Sequence, residues 1–312
     1  MCVSTPGDSL TVFELPPPHA AERLYMVSRD LYAPVLAAFA ARCLRALARD
    51  PGAINVCLAR DGISAFLAQR ALLRVMPEQF GSIAARRVRL AYLSRPLIGA
   101  CSASPETRSL VDRYLVPVGL RRARRITLVD VGIHGSIQDE LQRLYPQRQL
   151  RGEYLLYRRR PTDLNAERKR GFLVGDGEAE DERYFLRREM VHLLEDLWSG
   201  VFESVTALRA APRNRGGRVH PQLDRLGTRT TLPVLAGELR RLKRIALRGV
   251  VDGVMRAAPQ CAMNPEAGAR QRAVEHARRL ADWIVSSRER GSRDAWLWGA
   301  IIRPDRTAPH LD

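Results

Sequence analysis

An α/β fold, a mostly parallel sheet flanked by helices with a helical C-terminal region, is predicted by two features of the sequence. Between residues 31 and 157, short β-branched or apolar runs alternate with segments whose apolar residues recur at helical spacing. Turns containing Gly or Asp also fall directly after the strand-like runs, where ligands bind in such sheets. The composition agrees: 46% of the 312 residues are hydrophobic and 27% charged, which excludes wholesale disorder.

The elements follow in order. Residues 1–19 are Pro-rich and read as an irregular arm ending in Pro16-Pro17-Pro18. Helical spacing runs from Leu31 to Leu47 and stops at Asp50-Pro51-Gly52. Ile54 to Leu58 is a buried strand, Ile63 to Met76 a helix and Val88 to Leu93 a second strand. Ser104 and Pro105 form a cap and first-turn pair that opens a helix toward Tyr114. Ile126 to Val131 is the third strand, Ser136 to Tyr145 a helix and Glu153 to Tyr157 the fourth strand. Leu186 to Trp198 is helical, 211–230 reads as a loop, and two long helical patterns run from Leu232 to Val285. An apolar tail with Trp296 and Trp298 is expected to pack on the core. The division is an arm (1–19), an α/β domain (20–210) and a linker with a helical C-terminal region (211–312).

The net charge is +17, which suggests an anionic partner. Only Lys169 and Lys243 are lysines, so 49 of the 51 cations are arginine. So uniform a bias reads as a compositional habit, which weakens charge as an argument for nucleic acid. The aromatics, 6% of residues, are not interleaved with the basic runs as a base-stacking platform requires, and no nucleic acid is expected. The basic runs 121–125, 158–160 and 168–170 read as solvated or phosphate-steering faces. Five scattered cysteines without C-x-x-C argue against a disulfide scaffold or zinc ribbon. No signal peptide and no uncharged apolar stretch of membrane-spanning length is read, so a cytoplasmic protein is expected.

Three segments at strand ends carry the chemistry. The first is Ile126-Thr-Leu-Val-Asp130-Val-Gly132-Ile-His134-Gly135-Ser136-Ile-Gln138. Its glycines can expose backbone amides, Ser136 can cap the following helix, and free N–H groups at a helix start bind phosphate. Asp130 can accept hydrogen bonds from vicinal sugar hydroxyls, so the layout suits a ribose 5-phosphate. An ordinary strand-to-helix turn, with Asp130 satisfying loop amides, is the other reading. In the second segment, Arg60 can grip a diphosphate, Asp61 can hold Mg²⁺ through water, and Gly62 can open an amide nest. A solvated turn with a local ion pair is the alternative. The third segment places Arg95 at the same edge, or merely on the surface before Pro96. His134 either contacts phosphate or is incidental. Glu195 and Asp61 are the candidate general bases, and Glu195 is equally read as a structural carboxylate.

Taken in order, Ala-Arg-Asp-Gly (59–62), Tyr-Leu-Ser-Arg (92–95), Val-Asp-Val-Gly-Ile-His-Gly-Ser-Ile-Gln (129–138), Gly-Glu-Tyr-Leu (152–155) and Leu-Leu-Glu-Asp-Leu-Trp-Ser (193–199) resemble a domain of bacterial surface-polysaccharide loci. That domain is often fused behind a haloacid-dehalogenase-like phosphatase and is similar to type I phosphoribosyltransferases. The resemblance spans residues 30–205. It implies Mg²⁺-dependent transfer of 5-phosphoribosyl from phosphoribosyl diphosphate (PRPP) to the hydroxyl of a glycan or lipid-linked glycan. It also implies a ribose 5-phosphate loop at 130–138 and a diphosphate loop at Arg60, Asp61 and Gly62, assisted by Arg95. Asp130 is followed by Val131 rather than by a second acid, a departure from nucleotide-salvage enzymes. No Asp-x-Asp phosphatase start occurs in residues 1–50, so a phosphatase is expected to be a separate protein. The basic runs admit peripheral contact with the anionic inner membrane face. Transfer from PRPP to a small-molecule acceptor is one alternative. A non-enzymatic basic module for nucleic acid or anionic membrane is another.

Overall fold

The computed structural model describes residues 17–59, 61–120, 123, 125–163, 165–174, 185–186, 188–199, 205, 207–210, 219–222, 233–263, 266–287, 292, 294 and 296. Its centre is a five-stranded parallel sheet of β1 (Ala53–Leu58), β2 (Val88–Ala91), β3 (Arg125–Asp130), β4 (Gln149–Leu156) and β5 (Lys169–Val174), ordered β2-β1-β3-β4-β5. The chain steps outward from β1 to β2, then crosses back to β3 and continues to β4 and β5. With right-handed crossovers, that reversal puts α3 (Ile63–Val75), followed by the short α4 (Pro77–Phe80), on one face and α5 (Arg95–Ala103), α6 (Pro105–Val118) and α7 (Ser136–Leu144) on the other. Alternate side chains therefore serve two cores: Cys57 and Val129 face one, Val56, Leu58 and Leu128 the other.

The first core is closed by a long helical rod. α1 (Ala20–Val27) and α2 (Ala33–Ala48) are joined by a π turn at Ser28–Tyr32, so the helix starts eleven residues before the Leu31 expected from periodicity. By length and composition alone this rod could cross a membrane. Here its apolar side is the middle of the core, with Leu36, Phe39 and Leu44 fully buried. Onto it pack α8 (Arg188–Leu197), α9 (Pro233–Met263) and α10 (Glu266–Ser287). Gly249 and Gly253 of α9 let the helices touch: a Cβ on Gly253 would lie 2.3 Å from the Arg29 carbonyl and 2.5 Å from the Ala33 methyl. Of the tail, Trp296 packs against this core, and Trp298 lies outside the described residues.

Local chemistry explains the boundaries. Ser94 and Ser104 cap α5 and α6, accepting from Leu97 N at 3.2 Å and Thr107 N at 3.1 Å. Gly119, at φ +94°, ends α6 with its amide on the carbonyls of Leu115 and Val116. Three expectations are corrected. The cap of α7 is Gly135, in the left-handed region, and Ser136 is the first helical residue. Residues 219–222, read as loop, form β7, antiparallel to β6 (Ala207–Ala210). The run Arg168-Lys169-Arg170 is no uniform solvated face: Lys169 opens β5 and is fully buried.

Candidate functional site

The strand order reverses at β1, so the crevice outside the carboxyl ends of β1 and β3 is the topological switch point. The first two predicted segments meet there. The loop after β1 folds over the seam: Gly62 N donates to the Leu58 carbonyl at 2.8 Å. A Cβ on Gly62 would lie 2.6 Å from that oxygen and 2.8 Å from the Val129 carbonyl, so only glycine fits. Asp61 is half-buried beside it, and Arg60 lies outside the described residues.

The loop after β3 is held by its carbonyls. Those of Val131, Ile133 and His134 accept from Leu156 N, Arg158 N and Lys169 Nζ at 3.2, 2.8 and 3.2 Å. The backbone amides of residues 132–137 have no hydrogen-bond partner among the described residues. Consecutive free amides at a helix start form an anion-binding nest. Gly135 is required at φ +61°, because a Cβ there would lie 2.6 Å from the Tyr154 hydroxyl. Asp130 is 9% exposed; its Oδ1 accepts from Val131 N at 2.9 Å, while Oδ2 lies over Gly132.

The electrostatics agree with an anion. Burial pushes the His134 imidazole below its ordinary value. A hydrogen bond to the Arg158 carbonyl opposes this, and the charges of Arg160, Arg158 and Arg95 push it further down. Arg95, exposed at the start of α5, thus belongs to the field around this loop. Tyr32 lies beneath both carboxylates: burial, then the charges of Asp61 and Asp130, raise its phenol well above its usual range.

Gln138 turns back into the core, fully buried, with its Oε1 accepting from the Tyr154 hydroxyl at 2.9 Å. Glu195 is half-buried on α8. Its helix reaches the site through Trp198, which stacks on Tyr32 at 4.1 Å and donates to Ser28 Oγ at 2.8 Å. Tyr32 in turn lies 3.3 Å from Ser64 Oγ, just past Gly62.

Sequence reasoning missed the support beneath the loop after β3. Lys169 Nζ donates to Asp139 at 2.7 Å and to both oxygens of Asp163 at 2.9 and 2.8 Å, besides the His134 carbonyl. Asp163 also accepts from the Tyr157 hydroxyl at 2.8 Å. The sole signal was that one of only two lysines stands in an arginine-rich chain.

Among the described residues no three His, Cys, Asp or Glu side chains gather as a metal cage. Mg²⁺ characteristically keeps its waters and takes one or two carboxylates plus substrate phosphates. Asp61, with Asp130 on the neighbouring strand end, is a donor set that fits an ion carried in on phosphate. No known family model matches the chain, and a search of curated proteins finds no match.

Proposed function

We propose that this protein is a PRPP-dependent phosphoribosyltransferase, placing 5-phosphoribosyl on a hydroxyl of a glycan or lipid-linked glycan and releasing diphosphate. The observation that carries the reading is the run of amides at 132–137 without partners among the described residues, set at the switch point opposite the Asp61-Gly62 turn. In this reading the amide nest holds the ribose 5-phosphate. Asp130 Oδ2 accepts from a ribose hydroxyl. Asp61 and Arg60 face the diphosphate; Asp61 would hold Mg²⁺ through water, and the ion would supply neutralising charge to the diphosphate that leaves C1 with its bridging oxygen. Arg95, Arg158 and Arg160 supply the surrounding positive field. Glu195 and Asp61 are the candidate bases for the acceptor hydroxyl, and the glycan acceptor itself follows from the motif resemblance.

The test begins with binding. PRPP with Mg²⁺ is expected to raise the melting temperature more than ribose 5-phosphate or diphosphate alone; a ligand at about 100 times its Kd stabilises by roughly 2.7 kcal/mol. Asp130→Asn is expected to keep the fold and cut diphosphate release with glycan acceptors by about a hundredfold or more. An unchanged melting temperature with all three ligands, or full activity in Asp130→Asn, overturns the reading.

A further inference from the structure

At the opposite edge of the sheet, where β1, β3 and β4 begin, lies a cavity of about 610 Å³. That is within the size range of small-ligand clefts. The residues that open these strands, Ala53, Arg125 and Gln149, line it. A six-residue strand separates it from the crevice by on the order of 20 Å. Five of its sixteen lining residues are arginine, twice the density of the chain as a whole.

The surplus charge is not compensated inside the cavity. Its carboxylates are engaged: Asp50 pairs with Arg125 at 2.8 Å, Glu153 with Arg42 at 3.1 Å and Glu167 with Arg168 at 3.3 Å. The guanidinium groups of Arg151 and Arg170 have no hydrogen bond or ion pair among the described residues. Gly152 pairs with Lys169 and Glu153 with Arg170 across β4 and β5, so Arg151, one residue before Gly152, comes near Arg168 where the chain turns into β5. Like charges held side by side on neighbouring strands repel. Guanidinium forks converging on one concave space are suited to bidentate binding of phosphate oxygens.

We infer that this cavity is a second anion site, for a phosphate or diphosphate group, distinct from the switch-point crevice and independent of the function proposed for it. The group belongs either to a soluble phosphorylated metabolite or to a lipid headgroup, and the chemistry of recognition is the same.

The experiment uses the full chain in Mg²⁺-free, low-salt buffer with inorganic tripolyphosphate as the calorimetric probe. Arg151→Glu/Arg170→Glu is expected to remove one binding event or weaken it about tenfold or more, with melting temperature retained. Arg151→Gln/Arg170→Gln, free of introduced repulsion, is expected to fall between that variant and the unmodified protein. The control is Arg74→Glu/Arg244→Glu, an equal charge change at exposed positions elsewhere. Co-sedimentation with phosphatidylcholine vesicles, with and without phosphatidic acid, separates the two sources. Loss confined to the soluble probe assigns a metabolite; loss confined to acidic vesicles assigns a headgroup. The inference is overturned if the control weakens both as much as Arg151→Glu/Arg170→Glu, or if that variant binds both like the unmodified protein.

Discussion

Both lysines of this chain are buried, among 49 arginines that serve elsewhere. A compact ammonium fits where a planar guanidinium does not. Lys169 fills the space between Asp139 and Asp163, and Lys243 donates to Ser199 Oγ at 2.7 Å. Lys169→Met is expected to leave Asp163, itself buried, without its counter-ion, and to cost about 3–5 kcal/mol in urea denaturation. Burial pushes the Asp163 carboxyl up, but hydrogen bonds from Lys169, Tyr157 and the Asn165 amide outweigh it and hold the group below its ordinary 3.8. A depressed carboxylate stabilises the fold above that value, and the contribution is lost as pH falls through the lower native pKa. A second residue reports on the crevice directly. The Arg158 carbonyl can only accept, so neutral His134 carries its proton on Nδ1, bonded to that oxygen at 3.1 Å. Its depressed pKa means that below about pH 6.5 the unfolded chain takes up the proton more readily, so stability falls as the solution is acidified. An oxyanion seated on the amide nest offsets the arginine field. Ribose 5-phosphate is therefore expected to move the His134 titration upward in ¹H–¹⁵N NMR; an unmoved or lowered midpoint removes the 5-phosphate from that loop.

At the scale of elements, α9 shows how one residue type has opposite effects in one helix. The space at Gly253 is occupied by the Arg29 carbonyl and the Ala33 methyl, whereas nothing lies within 4 Å of a Cβ on Gly237. Gly253→Ala is expected to destabilise by about 1–3 kcal/mol through overpacking. Gly237→Ala, gaining helix propensity without a clash, is expected to stabilise by about 0.5–1 kcal/mol. Chemical denaturation of the two variants reads the contrast, and equal signs refute the close approach. Such contacts mark what a single chain hides. β1 and β3 were legible because their apolar runs are nearly continuous, as buried parallel strands require; β4 was read only from Glu153, because Gln149-Leu150-Arg151-Gly152 does not read as an apolar run. β5 was not, because Lys169-Arg170 looks solvated until Asp163 and, thirty residues away in sequence, Asp139 neutralise the lysine. The crevice was legible where glycine and aspartate punctuate strand ends. The inward turn of Gln138 was not legible, because helical position alone does not say which face turns toward Tyr154. The π turn that offers Ser28 and Tyr32 to Trp198 has no sequence signature comparable to a cap or a glycine turn.

The whole molecule is organised so that one helical layer supports the crevice from behind. The α1–α2 rod, α3, α8, α9 and α10 contribute to a single apolar cluster with the sheet, including Leu242, Val250 and Val254 of α9 and Leu280 and Ile284 of α10. The chain's far end is tied to its start as well. Arg23 donates to both oxygens of Asp294 at 2.9–3.2 Å, and the Trp283 indole donates to the same carboxylate at 2.7 Å. Tyr25 adds a bond to Asp252 at 2.9 Å. Because α9 covers the π turn at Gly249 and Gly253, it braces the segment that carries Tyr32 under Asp61 and Asp130. The C-terminal helices therefore act as part of the core that positions the site. The intact chain is expected to unfold in one transition, and its two ends should lose protection together in hydrogen exchange. Truncation after residue 210 exposes the rod's inner face along its length. The truncated chain is expected to bind a hydrophobic dye, lose cooperative melting and lose any PRPP-dependent shift. A truncated chain that melts cooperatively and still responds to PRPP would make the helical layer an accessory to the sheet instead of its second half.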